Sequence, residues 1–582
     1  MPTCASKPFS YDSFPTSGHV AYFSMEIAIN PGMNTYSGGL GVLAGDTLRS
    51  AADLGLPLIA FTLLHRKGYF QQHLAADGTQ TEEVQPWNPA DFCHEEPVRA
   101  TVSIEGRTVA IRAWRYDVKG RFGHVIPIYL LDTDLEENSG WDRGLTDHLY
   151  GGDTNYRLQQ EIVLGMGGVR MAHALNYRIN VYHMNEGHAA LLTLALLERQ
   201  LGGGPLVSVT DSDVQAVRRK CVFTTHTPVP AGHDRFSTEQ ANRILGPDRT
   251  ARLEKNGCFH EGMLNMTMVA LRFSRYANGV ALQHGKVSRE MFPEFKIDSI
   301  TNGVHAPTWV SEPIQKMLDE YVPAWRRDML FLRNLVDLDE EKIIAAHARA
   351  KAMLFSEVAA RTGLVLDPKA LTLGFARRAA TYKRASLLFT DPERLAEIAV
   401  KAGGMQILYA GKAHPQDIPG KQLIKDVIET AGKLSKGALR IIYLENYEWR
   451  LGALLTSGVD VWVNTPKRPY EASGTSGMKA AFNGVPSLSV LDGWWIEGCL
   501  EGITGWAIED GVDDDAEANN LYKKLETAVV PLFKGAPEGW ARLMRSTIAH
   551  NGSYFNTNRM VMQYARNAYY PINFADDSLV DD

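Results

Sequence analysis

Cysteine is scarce in this chain: five residues in 582, at Cys4, Cys93, Cys221, Cys258 and Cys499, with no Cys-x-x-Cys pair. A dispersed, odd-numbered set offers no disulfide framework, and the expected setting is reduced and cytoplasmic. Long apolar runs are missing as well. None approaches the ~20 residues that cross a bilayer, and the opening MPTCASKPFSYDSFPTSG lacks the apolar core of a signal peptide. The chain therefore reads as neither membrane-embedded nor secreted by that route. Excess positive charge is absent too. A formal net charge of -7 argues against nucleic acid as a partner, and any anionic substrate must be drawn by local cations against the field of the whole protein. His183, His188, His226 and His233 fall at no standard zinc spacing and have no thiolate with them, so no metal site is expected.

Hydrophobic content of 45% and charged content of 22% are ordinary for a globular enzyme, and 582 residues exceed what one core supports. HVAYFSMEIA reads as a buried strand, NTYSGGLGVLAGDTLRSAADLG as a glycine turn feeding a helix, and LPLIAFTLL as the next strand, together a βαβ unit. Its Gly38-Gly39-Leu40-Gly41 lacks the full dinucleotide-binding spacing. VRATVSIEGRTVAIRAWRYDV alternates around Gly106 as a hairpin would, and Gly165, Gly167 and Gly168 mark a helix packed closely on another element. INVYHMNEGH and CVFTTH each end a strand in polar residues, among them Glu186, His188 and His226; ligands of open α/β sheets bind at such carboxyl ends. A lone histidine there is more often structural. Asn302 ends a further strand. After helical stretches over roughly 312–363, LTLGFA, MQILYAG, LRIIYLE, VDVWVN and PSLSV alternate with helical patterns. These spacings predict an α/β protein of two doubly wound Rossmann-like domains, 1–306 and 307–582, with a boundary near Pro307 to Pro313 and the last helices free to pack back on the first domain. Acidic stretches near Asp510 to Glu517 and at the C-terminal DDSLVDD read as solvated surface.

The stretch from Asn464 to Glu497 organises the rest. VDVWVN is a strand, Pro466 and Pro469 keep the chain extended, and Ser473-Gly474-Thr475-Ser476-Gly477 opens a run of helix formers. Unpaired amides at such a start form an anion site. Lys479 lies one turn inside, and Gly477-Met478-Lys479-Ala480 is not the Gly-Lys-Ser/Thr of a nucleotide phosphate loop. An amine beside a phosphate cradle is what pyridoxal phosphate requires, although a helix cap with a surface lysine is the commoner case on chemistry alone.

EASGTSGMKAAFNGVPSLSVLDGWWIEG resembles the pyridoxal-phosphate segment of the α-glucan (glycogen, starch and maltodextrin) phosphorylases, in the form of their short bacterial and archaeal members, and the likeness extends from AYFSMEIAI to the C-terminal helices. It implies the glycosyltransferase B fold, pyridoxal 5'-phosphate on Lys479, and retaining phosphorolysis of α-1,4-glucan by inorganic phosphate to α-glucose 1-phosphate. Homodimers are common in the family. The chain is much shorter than the animal and plant enzymes, with no counterpart of their long N-terminal regulatory segment, so control by phosphorylation or AMP is not expected.

The resemblance also implies roles. In LGFARRAATYKRA, Arg378 would grip the substrate phosphate, Lys383 would touch both phosphates, and Arg377 would help hold the cofactor phosphate with the amides of Thr475, Ser476 and Gly477. On composition alone this basic cluster is a solvated face, yet cations directly after a strand's carboxyl end point at a cleft. Tyr447 and Trp309 would sit beside the cofactor ring. Gly38, Gly39 and Leu40 would bring amides against substrate phosphate and sugar. Asn302, Glu471, Ser473, Gly474 and His226 would meet the glucosyl hydroxyls, and His188 lies in Asn185-Glu186-Gly187-His188, which stands where the long enzymes have Asn-Asp-Thr-His. The cofactor's phosphate would then act as acid and base, with cations overcoming the repulsion of two phosphates. A nucleotide-sugar-dependent glucan synthase of the same fold is the nearest rival, but it has no need of an amine at Lys479. A silent glucan-binding protein, which would dispense with Arg378, Lys383 or Lys479, and a pyridoxal-dependent transaminase or decarboxylase are more distant alternatives.

Overall fold

A computed structural model describes residues 18–229 and 232–571. The N-terminal segment and the acidic DDSLVDD tail lie outside the described residues.

Two sheets carry the architecture. In chain order the strands of the first are β1 (His19–Ser24), β2 (Leu58–Leu63), β3 (His94–Glu95), β4 (Ala100–Ile104), β5 (Arg107–Lys119), β6 (Val125–Asp132), β7 (Ile179–Asn185), β8 (Cys221–Thr224), β9 (Tyr276–Gly279) and β10 (Asp298–Ser299). Their spatial order is β10-β9-β8-β7-β1-β2-β6-β5-β3, with β4 paired to β5. The run from β10 to β6 is parallel, and the β4–β5 hairpin joins it antiparallel through β6. The hairpin foreseen around Gly106 thus extends the main sheet and is no separate unit. The second sheet is all parallel, in the order β13 (Leu439–Leu444), β12 (Met405–Ala410), β11 (Leu371–Ala376), β14 (Val461–Asn464), β15 (Ser487–Val490), β16 (Gly505–Ile508). The last of these, GWAI, is a sixth strand that the sequence reading passed over, since four apolar residues beside a turn carry almost no period.

Alternate residues of both sheets enter cores on opposite faces. Ala21, Phe23, Ile59 and Phe61 enter one core, while Val20, Tyr22, Leu58 and Ala60 enter the other. Leu371, Leu373, Ile407 and Val461 divide likewise from Ala376, Leu408, Ile442 and Trp462. Sheets buried on both faces by helices are the doubly wound arrangement, and near-continuous apolar strands are its signature. A helix interrupted by a π-turn at 163–167 packs so closely that a Cβ on Gly165 would lie 2.6 Å from the Leu192 nitrogen, and one on Gly168 would lie 2.6 Å from the Phe23 ring. Among the described residues no helix is long and apolar enough to cross a membrane.

The chain passes between the sheets twice, and the two crossings touch. The Val304 amide donates to the Phe555 carbonyl (3.1 Å) and the Thr557 amide to the Val304 carbonyl (3.0 Å). After the second crossing the helix Thr557–Tyr564 lies on the first sheet: Met560, Val561, Tyr564 and Tyr569 join the core of Val20 and Tyr22, and the Ser50 and Thr557 hydroxyls meet at 2.5 Å. A Cβ on Gly303 would collide with the Asn556 backbone, which cannot give as a flexible side chain would. Gly303→Ala is therefore expected to destabilise the chain by about 1–3 kcal/mol, the usual cost of overpacking, seen as a lower chemical-denaturation midpoint. An unchanged midpoint would show that the crossings are free to separate.

Candidate active site

The carboxyl ends of the two sheets face each other. The Lys412 ammonium, just past β12, donates to the Phe70 carbonyl (3.0 Å), Gln72 exchanges hydrogen bonds with Asn446 and donates to the Gly411 carbonyl (2.9 Å), and the Trp449 amide donates to the Tyr36 hydroxyl (3.0 Å). Polar side chains gather along this seam in linked groups.

The first group surrounds the helix Thr475–Phe482, labelled α1 here. Gly474 turns the chain into it with φ 83°, a left-handed conformation that glycine adopts freely. The opening amides of Thr475, Ser476 and Gly477 have no partner inside the helix, and the carbonyl of Ser473 accepts from the Trp494 amide (2.8 Å). The Ser476 hydroxyl accepts from the Trp462 indole (3.2 Å). One turn on, Lys479 is buried, 8% exposed, and its ammonium nitrogen stands 3.5 Å from the centroid of the Trp309 ring with no hydrogen-bond acceptor among the described residues. Burial lowers the amine's pKa to about 8, against the opposing pull of the Asp46 carboxylate. The Trp309 indole donates to Asp46 Oδ2 (2.7 Å). The Asn483 amide donates to the carbonyls of Trp309 and Lys479 (2.9 Å each). Tyr447, whose hydroxyl is pushed up to about 12 by burial, stays neutral nearby on the loop after β13.

The second group is a buried ionic cluster on the loop after β11. Arg377 and Lys383 both pair with Glu471, the lysine at 2.6 and 2.8 Å from its two oxygens. Burial would raise the Glu471 pKa, but the two cations outweigh it and hold the carboxyl down to about 2. Such a group contributes stability above its unfolded value near 4.5, lost as pH falls toward about 2. In Glu471→Gln the acid limb of the unfolding profile should lose this slope; an unchanged limb would mean the cluster is not coupled to folding. The Glu471 amide donates to Asp492, whose carboxyl burial raises to about 6. Arg377 Nε and Nη1 and the Ser473 hydroxyl are buried without a protein partner. Lys383 is fixed by its neighbour: the Arg384 guanidinium binds the carbonyls of Thr465 (2.9 Å) and Pro466 (2.8 Å) and pairs with Asp514 (2.8 Å) and Glu517 (2.5 Å). The acidic run at 510–517, expected as plain solvated surface, is thus partly engaged, because a buried guanidinium demands counter-charge.

The third group comes from the first sheet. Glu26, past the end of β1, accepts from the amides of Ser37 (2.6 Å) and Gly38 (3.2 Å), from the Ser37 hydroxyl and from Tyr150 (2.9 Å). A Cβ at Gly41 would fall 2.7 Å from this carboxylate. The Gly38 amide is therefore already taken, whereas Gly39 and Leu40 open the next helix, and a Cβ on Gly39 would meet nothing. Arg378 is exposed and has no hydrogen-bond or ion-pair partner among the described residues; its charge acts on Tyr69, Tyr150 and His414 across the seam. Tyr150 also receives the Arg157 guanidinium on its ring (4.4 Å) and lies edge-on to His188. His188 Nε2 meets Arg157 (3.0 Å) and Asp234 (3.3 Å). His226 donates from Nε2 to Asn185 Oδ1 (2.7 Å) and from its amide to Glu186 (2.7 Å); burial lowers the imidazole to about 4, so it is neutral. Asn302 Oδ1 is buried with no partner.

The geometry joins Lys479 to Trp309, and Arg377 and Lys383 to Glu471. It leaves Arg378, Asn302 and Ser473 with unspent polar groups, and it shows Glu471 and Gly38 committed to protein partners. Sequence reasoning passed over Glu26, Asp46, Tyr150, Trp449 and Asp492. Glu26 did carry a signal, a carboxylate two residues beyond a buried strand, as did Asp46, an acid among the apolar positions of GVLAGDTL.

A family model for carbohydrate phosphorylases matches residues 233–501. The chain is 38% identical to a maltodextrin phosphorylase of Thermococcus litoralis over 94% of its own length and 70% of the relative's. It is 38% identical to a glycogen phosphorylase of Mycobacterium tuberculosis, covering 95% and 71%, and 34% identical to one of Aquifex aeolicus, covering 95% and 86%. With two parallel sheets meeting at their carboxyl ends and this likeness over nearly its whole length, the chain belongs to the α-glucan phosphorylase family and has its glycosyltransferase B fold.

Proposed function

We propose that the chain catalyses phosphorolysis of α-1,4-glucan, with pyridoxal 5'-phosphate bound covalently at Lys479. The observation that carries this reading is the buried Lys479 amine, which has no acceptor of its own and stands one turn from the open amides of Thr475, Ser476 and Gly477. A phosphate monoester fits those amides, and an aldehyde fits that amine. The residues present therefore suit the cofactor. Trp309 and Tyr447 would flank its ring, and the unpartnered Arg377 nitrogens would face its phosphate.

When bound, the cofactor supplies a second phosphate able to exchange a proton with the substrate phosphate. The chain's own task is charge compensation. Arg378, unpaired and exposed, is the group free to grip inorganic phosphate, and a guanidinium can do so through two parallel hydrogen bonds. Lys383, held against Glu471, brings a fixed ammonium between the two anions. Gly39 and Leu40 offer amides at the start of their helix. Asn302, Ser473 and neutral His226 are suited to sugar hydroxyls, since their polar atoms are buried and, for the first two, unspent. Glu471 would fix Arg377 and Lys383 and reach a hydroxyl with whatever acceptor capacity remains. Exclusion of water from the cleft once substrate is bound would favour phosphate as the nucleophile. The test is phosphate-dependent release of glucose 1-phosphate from a panel of linear glucans. Glucan turnover that ignores phosphate, or transfer that needs a nucleotide sugar, would refute the reading; the named relatives are phosphorylases.

A further inference from the structure

Lys479 does not rest on a carboxylate, as most buried lysines do. It rests on an indole, and the carboxylate is one residue further away. Asp46 is 1% exposed and spends its oxygens elsewhere: Oδ2 accepts from the Trp309 indole (2.7 Å) and the His305 amide (3.1 Å), and Oδ1 faces Arg49 (3.5 Å). Trp449 stacks on Trp309 with centroids 5.6 Å apart and planes 21° apart, and the Arg49 guanidinium covers Trp449 at 4.6 Å. Lys479, Trp309, Trp449 and Arg49 form a continuous stack whose fixed point is Asp46, the acceptor of one ring and the counter-ion of the terminal cation. An ammonium is attracted to an indole face, and that attraction vanishes once the nitrogen loses its proton. A direct ion pair would pin the amine and keep it charged; the indole gives up its charge attraction when the proton leaves but remains the surface against which the neutral amine packs.

We infer that Asp46, acting through the Trp309 indole, is a positioning residue that sets where the Lys479 amine stands for condensation with the cofactor's aldehyde. This rests on the assignment of Lys479 as the cofactor's anchor. In the step concerned, neutral Lys479 Nζ adds its lone pair to the aldehyde carbon. Both nitrogen protons leave with the carbonyl oxygen as water, and a C=N bond remains.

The test uses the full-length protein stripped of cofactor and then mixed with pyridoxal 5'-phosphate at about pH 9.5, above the amine's value of about 8, so that rates report position and not protonation. The rate of rise of the visible absorbance is followed, and borohydride reduction with mass analysis then locates the adduct. Asp46→Ala, which frees the indole, should load at least about tenfold more slowly than the unaltered chain. Asp46→Asn, which keeps an acceptor for Trp309, should recover to within about threefold. Trp309→Phe keeps an aromatic face but loses the bond to Asp46, and should be slowed as well; it decides the matter if Asp46→Ala fails to fold. Loading of Asp46→Ala, or of Trp309→Phe where that variant decides, at the unaltered rate would overturn the inference. An unaltered chain that forms no reducible adduct on Lys479 would instead remove the anchor assignment itself, so the two failures are distinct.

Discussion

Lys479→Ala is expected to abolish both cofactor retention and phosphorolysis, with residual activity below about one-thousandth. That corresponds to at least ~4 kcal/mol of lost transition-state stabilisation. The fold should survive, because the amine makes no hydrogen bond or ion pair among the described residues and its removal leaves Trp309 anchored by Asp46 and Asn483. Purified protein should lack the near-visible absorbance expected of the cofactor-loaded parent, and borohydride should add no mass. Lys479→Arg separates charge from chemistry: a guanidinium keeps the cation over the indole but cannot condense with an aldehyde, so it should be equally inactive. Full activity in either variant without added cofactor would end the assignment.

Arg378→Ala should act on the other phosphate. Arg378 is exposed and unpaired, so nothing in the fold depends on it, and stability should change by no more than about 0.5 kcal/mol. The kcat/KM for phosphate should nonetheless fall by about 100- to 1000-fold, the range for losing one preorganised charged donor at a developing anion. Cofactor content should be untouched. Arg378→Lys should restore only part of the loss, because an ammonium cannot offer two parallel N–H groups. If phosphate saturation were the same in Arg378→Ala as in the parent, the free guanidinium would have no part in binding the substrate anion.

Much of the architecture is written in local pattern. Buried parallel strands such as LTLGFA and MQILYA are apolar throughout, and each is followed by a helical period, so the two sheets could be read before any contact was known. The anion-binding helix start is equally local, since Ser473 to Gly477 dictates it within five residues. Partnerships across the seam are another matter. The Asp46–Trp309 bond spans 263 positions and the Glu471–Lys383 pair spans 88, and no periodicity reports such distances. That is why Glu471 reads from the sequence as free to meet a sugar, although two cations hold it, and why Trp449 drew no notice. The engaged state of Gly38 escaped for the same reason: its acceptor, Glu26, lies on another element.

The paired crossings at Val304 and Phe555–Thr557 bear on how the enzyme would breathe. Two tethers bonded side by side behave like a door hinge and not like a string: the lobes can swing about the line through them but cannot easily slide or twist. Trp309 lies five residues beyond that line, tied to Asp46 on one lobe and touching Lys479 on the other. Any swing that admits a glucan must therefore tug on the same indole that steadies the amine, which would link gaping of the mouth to the alignment of its anchor.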